Sequence, residues 1–185
     1  MDLSRPLEQD ATIEPLTFES AEGREVYRHS STHIMAQAVK EVFPTAQLTI
    51  GPALDDGFYY DFAFDRPFTP EDLEKIEARA IEIMKRGLTV TRSELSKQDA
   101  IKFFQERGEG YKVELINSFD DASPISLYRQ GEFVDLCRGP HLPTTGYVGA
   151  FKLLSTGGAY WRGDERNPML QRVYGTAWAK KEDLD

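Results

Sequence analysis

The sequence predicts an α+β domain in which helices are mixed with antiparallel sheets. Three observations predict it. Two long segments carry apolar residues at helical spacing and are closed by Pro44 and Gly87. Several short strand-like segments are separated by turn residues. Strands and helices also follow one another without the βαβ rhythm of a parallel sheet. The 185 residues fit one domain, or two small ones sharing a core. Hydrophobic residues make up 40% of the chain and aromatics 11%, more than a disordered chain carries.

Residues 1–22 are polar, with Pro6 and Pro15, and read as a loose lead-in. From about Glu25 to Phe43 the pattern is helical. Tyr27, Ile34, Ala38 and Val42 share one side, and Pro44 ends the helix. Residues 48–64 read as strand, turn, strand, with Asp56-Gly57 as the hairpin signal. Phe58, Tyr60, Phe62 and Phe64 then line one face of the second strand. Thr69 is suited to cap a second helix, with Pro70 at its first position. Glu71 and Asp72 favour the positive end of its dipole. Leu73, Ile76, Ala80, Ile83 and Met84 form its stripe. A strand is expected over 88–95, then a short helix from Ser96 towards Arg107. A further strand is expected over 111–117. Two short strands over 125–136 turn at Gln130-Gly131, and strands over 151–155, 159–163 and 169–178 complete the chain.

Bulk properties exclude several classes. No apolar run approaches the roughly 20 residues of a membrane span. The N-terminus is charged and lacks the apolar core of a secretory signal. The lone cysteine, Cys137, has no internal partner for a disulfide, which fits a reducing cytoplasm. Net charge is −9, against broad nucleic-acid binding. Residues 151–185 carry +1 and the rest −10, which leaves room for a local basic face near the C-terminus.

The chemistry is concentrated. The three histidines and the one cysteine fall in two tight groups, His29 and His33 in HSSTH, and Cys137 and His141 in DLCRGPH. An i, i+4 pair on a helix points one way. Here it points away from the stripe of Ile34 and Ala38. Three readings stand beside one another: ordinary polar residues, a zinc site, and metal-free hydrolysis with an imidazole activating water. HxxxH lacks the glutamate of HExxH, since positions 30 and 31 are serine, which disfavours peptidase chemistry of that type.

Five segments resemble, in order, the motifs of the editing region of bacterial threonyl-tRNA synthetases. They are HSSTHIMAQAV (29–39), IGPALDDGFYYDF (50–62), YKVELI (111–116), DLCRGPHLPTTG (135–146) and GAYWRGDERNPMLQRVYGTAW (158–178). The resemblance covers roughly residues 25–180. Alanyl-tRNA synthetase editing domains share the two His/Cys pairs but not this full series.

The resemblance implies an editing domain over 23–185, with the long HxxxH-bearing helix lining an editing cleft. Residues 1–22 are then a lead-in or the remnant of an upstream ubiquitin-like domain. The implied activity is hydrolysis of the serine ester from mischarged threonine tRNA. Position by position, His29 and His33 match the HxxxH of the pocket, and Lys112 matches a lysine implicated in hydrolysis. Asp135, Cys137 and His141 match a DxCxxxH group, and Tyr60 matches an aromatic lining the pocket. His29, or Lys112 with His29, is expected to position or deprotonate a water, and Asp135 to hold the substrate's amino group. In the alanine type the four His/Cys groups hold zinc. The threonine type is thought to work without it. No cofactor is therefore expected, with His29, His33, Cys137 and His141 as ligands if zinc is present.

Expected partners are the acceptor end of threonine tRNA carrying serine and, for an excised domain, the rest of the synthetase. No catalytic synthetase core fits in this length, and no membrane is expected. Taken singly, Lys112 reads as a solvated strand residue, Tyr60 as core, Asp135 as a loop cap, and Trp161 and Trp178 as packing. Arg138 reads as a phosphate contact or a surface salt bridge. Two other functions compete: a non-catalytic RNA-binding or zinc-stabilised module, and an editor of alanine tRNA.

Overall fold

The computed structural model describes residues 1–184 and is α+β, with four α-helices and two antiparallel sheets among them. Helix α1 (Ala21–Val42) starts four residues before the sequence suggested, because Ser20 caps it by accepting the Gly23 amide. It is no ordinary amphipathic helix. From Ser30 to Val39 every residue is buried, the polar ones included. The hydroxyls of Ser30, Ser31 and Thr32 donate to carbonyls of the preceding turn, so they enter the interior satisfied.

Strands β1 (Gln47–Leu48) and β2 (Phe58–Ala63) form the expected hairpin with a shorter ladder than expected. Between them, 49–57 wraps as a loop with one isolated bridge, Ala53 to Phe58. Phe58, Tyr60 and Phe62 are fully buried, as their alternation implied. Helix α2 (Pro70–Arg86) has the complete reciprocal cap between Thr69 and Asp72. It ends at Gly87, whose φ of 58° is left-handed. β3 (Val90–Leu95) and α3 (Lys97–Glu106, capped by Ser96) follow.

The segment expected to be a strand at 111–117 is a helix, α4 (Gly110–Asn117). Its buried positions are Lys112 and Ile116, one helical turn apart. A lysine stands where the stripe calls for an apolar residue, and this hid the period. β4 (Ile125–Gln130) and β5 (Phe133–Leu136) turn after Gln130 as expected. The two strands expected at 151–155 and 159–163 are one, β6 (Ala150–Tyr160), with Gly157 and Gly158 inside the ladder. The chain reverses over 161–168 instead and returns as β7 (Met169–Trp178).

The larger sheet has the order β1-β2-β7-β6 and the smaller β3-β4-β5. Each has its own core. Phe58, Phe62, Val173 and Ala177 pack with α1 and α2. Ile125, Leu127 and Val134 pack with Ala100, Phe104 and Ile116 of α3 and α4. The seam between the two cores holds the polar face of α1. No helix of the described residues is long and apolar enough to cross a membrane.

Candidate active site

A cleft of about 700 Å³ opens on that seam. Helix α1 contributes His29 and His33, α4 contributes Lys112, β2 contributes Tyr60, and β5 with its continuation contributes Asp135 and Cys137. Six of the seven residues singled out in the sequence therefore line one space. The seventh, His141, stands behind Cys137 rather than on the wall, with its Nε2 3.1 Å from Sγ.

The His/Cys side is a hydrogen-bonded chain whose protons can be assigned. Ser30 donates its hydroxyl to the Val26 carbonyl at 2.8 Å, so its oxygen can only accept from His141 Nδ1 at 3.1 Å. That places the His141 proton on Nδ1 and leaves Nε2 to accept from the Cys137 thiol. Sγ in turn accepts the Gly139 amide at 3.3 Å, and His29 Nε2 lies 3.5 Å from Sγ. The His33 and His141 rings stack at 4.2 Å. Gly139 makes the return of the loop feasible. Its φ is 71°, and a Cβ there would collide with the Tyr128 hydroxyl.

Burial sets the protonation of this side. It holds His29 below the usual imidazole value and His33 and His141 well below it, with the neighbouring imidazoles adding to the last two. It pushes the Cys137 thiol up to about 12. At neutral pH the cluster is three neutral imidazoles and a thiol. His33 Nε2 lies 3.5 Å from Asp135, but a neutral ring makes this no ion pair.

The other side is charged. Lys112 Nζ donates to Asp135 Oδ1 at 2.7 Å and to the Thr49 carbonyl at 2.6 Å, with the Tyr60 ring 5.6 Å away. An ammonium has three donors, so one remains uncommitted. Asp135 is well satisfied: besides Lys112 it accepts from the Leu136 amide at 2.7 Å and the Tyr60 hydroxyl at 2.8 Å. Burial, followed by Asp135 itself, raises Tyr60 well above the usual phenol value, so it remains a donor. Buried ion pairs contribute little net stability. The pair's value is that it fixes a cation on the cleft wall.

Comparison with known proteins bears on these residues. Residues 125–174, which carry Asp135, Cys137 and His141, match the model of the threonyl and alanyl tRNA synthetase second additional domain. The whole chain also aligns with threonine–tRNA ligases. It is 61% identical to that of Acidithiobacillus ferrooxidans, 59% to that of Azoarcus sp. and 57% to that of Symbiobacterium thermophilum. The chain is thus similar to a part of these ligases and carries, over 125–174, a match to the second additional domain. It spans 28–29% of the length of these three relatives.

His29, His33, Cys137 and His141 form the one group of metal-binding type among the described residues, their ligand atoms all within 4.8 Å of one another. The donor set is one that zinc takes. Tetrahedral bonds of about 2.0–2.3 Å would separate such ligands by roughly 3.3–3.8 Å, so the four would draw in slightly around an ion. Sequence reasoning missed two residues here. Ser30 sets the His141 tautomer, and its place between the histidines of HSSTH was the available signal. Thr49 acts through its backbone carbonyl, which no side-chain pattern announces. Trp161 and Trp178 pack as expected, Trp161 against Glu114 through a 3.1 Å hydrogen bond and Trp178 beneath the Arg28 guanidinium.

Proposed function

We propose that the chain is an aminoacyl-tRNA deacylase that hydrolyses the serine ester of mischarged threonine tRNA. The observation that carries the reading is the pairing of a neutral imidazole, His29, with a held cation, Lys112, across one cleft. Ester hydrolysis asks for both: a base for the attacking water and a charge for the oxyanion.

The need for such an activity follows from the size of a methyl group. A pocket built for threonine gains only about 1–3 kcal/mol over serine, or 10–200-fold. A device that recognises the hydroxyl accepts both amino acids. A second, smaller pocket that admits serine and excludes threonine supplies the missing selectivity.

In the proposed reaction His29 takes the proton of a water as it attacks the ester carbonyl. The uncommitted N–H of Lys112 stabilises the oxyanion. The bond from the carbonyl carbon to the terminal ribose oxygen then breaks, His29 returns its proton to that oxygen, and free serine departs. His33, Cys137 and His141 line or back the water-binding wall. Tyr60 closes the floor and holds Asp135. Asp135 draws the substrate ammonium by its charge. Arg138, on the cleft wall, meets the RNA phosphates. If the four His/Cys groups hold zinc together, they would fill its four tetrahedral positions, and the ion would brace the cleft wall rather than carry a water.

His29→Ala tests the reading. Hydrolysis of serine-charged threonine tRNA is expected to fall by about 10²–10⁴-fold, the usual contribution of a general base. A folded variant that hydrolyses at the parent rate removes His29 from the scheme.

A further inference from the structure

We propose that Glu109 is a positioning residue for Lys112, an inference that rests on the deacylase reading above. Glu109 immediately precedes α4, yet its side chain caps nothing there. It is 4% exposed, and its carboxylate reaches out of the helix. Oε2 accepts the Leu48 amide at 2.8 Å, and Oε1 pairs with Lys40 at 2.9 Å. A buried carboxylate is costly unless it is paired. Nothing in the folding of α4 requires one at this place.

What it joins explains its position. β1 is the edge strand of the larger sheet, two residues long, and pairs only with β2. The Leu48 amide points off that edge to Glu109. The next residue, Thr49, presents the carbonyl that accepts Lys112 Nζ at 2.6 Å, and its hydroxyl is pinned to the Asp61 carbonyl at 2.7 Å. At the other end, the Glu109 carbonyl accepts the Lys112 amide at 3.1 Å. One residue therefore holds both the backbone from which Lys112 departs and the strand on which its ammonium lands. A lysine side chain has four rotatable carbon–carbon bonds, so the position of its charge depends on fixed acceptors at the far end. Asp135 supplies one, and Glu109 secures the other.

The geometry makes different demands on three substitutions. Glu109→Gln keeps an acceptor for the Leu48 amide and loses the charge. Glu109→Asp keeps the charge and is one methylene too short. Glu109→Ala loses both.

The test is the kinetics of serine release from mischarged threonine tRNA by the parent chain and each variant. Glu109→Gln is expected to stay within about fivefold of the parent kcat, the effect of about one hydrogen bond's strength. Glu109→Asp and Glu109→Ala are expected to lose about 10- to 100-fold in kcat, the scale of a misplacement near 1 Å, with KM little changed. An Asp variant at the parent kcat overturns the proposal. So does a Gln variant as damaged as the Asp variant, because an intact acceptor for the Leu48 amide would then not suffice to hold Lys112 in place. A loss appearing in KM alone overturns it too. An inactive parent chain instead sinks the deacylase reading itself, and the two failures are thereby distinct.

Discussion

Lys112 and His29 show how differently two residues of one cleft depend on their surroundings. Lys112 is buried against Asp135, so its removal leaves an unpaired carboxylate in the interior. Lys112→Ala should lower stability by about 3 kcal/mol as well as slowing hydrolysis. His29 is partly exposed, with a 3.5 Å contact to sulfur and the His141 and His33 rings at 4.7 and 5.7 Å, so His29→Ala should lower it by about 1 kcal/mol. Urea unfolding of the two variants checks this, and equal losses would contradict the view of Lys112 as the partner that keeps Asp135 paired in the interior. The His/Cys residues were legible in the sequence because their types are rare and their spacing tight. Lys112 and Tyr60 were not legible from residue type alone, since lysine on a surface and tyrosine in a core are the common cases. The motifs around them supplied the reading. Their depth, and the three hydrogen bonds that Asp135 accepts, are products of tertiary packing.

At the scale of elements, local signals succeeded where the chain is punctuated and failed where function interrupts a pattern. Pro44, Thr69-Pro70 and Gly87 marked helix ends because each acts within one turn. Helix α4 was misread because Lys112 occupies its buried face. Gly157-Gly158 was misread because two glycines suit a turn as well as a long two-stranded ladder. The best-defined element, α2, carries a pH prediction. The Arg66 hydrogen bond, with the Thr69 cap amide, holds the Asp72 carboxyl down to about 2. Its folded value lies below the unfolded one of about 3.9. The stabilisation is therefore fully present above the unfolded value and is lost as pH falls from about 4 through about 2. Asp72→Asn should be less stable than the parent at pH 7, and the gap should narrow towards pH 2.5. Thr69→Ala should lose about 1 kcal/mol at pH 7 without touching hydrolysis. Thermal unfolding across pH reads both, and a gap that stays constant for Asp72→Asn would remove the Arg66–Asp72 explanation.

For the whole molecule, the fold is two small cores with the chemistry on their seam. The antiparallel, mixed class was predictable because turn residues and periodicity sum over many segments. The seam was not, because it depends on which sheet covers which face of α1. The local basic face allowed for near the C-terminus is half neutralised, three of its six cations being paired. Arg162, Arg166 and Arg172 pair with Glu114, Asp164 and Asp61. With a net charge of −9, the proposed RNA substrate would be recognised at the cleft by its end and its ester rather than by a broad cationic surface.

The most direct test is hydrolysis by the purified chain of threonine tRNA charged with serine and with threonine, each with and without a chelator. The account predicts fast release of serine, sparing of threonine and no effect of the chelator. Loss of serine hydrolysis on chelation would place zinc among His29, His33, Cys137 and His141. Equal release of both amino acids, or of neither, would contradict the proposal that this cleft is the smaller sieve.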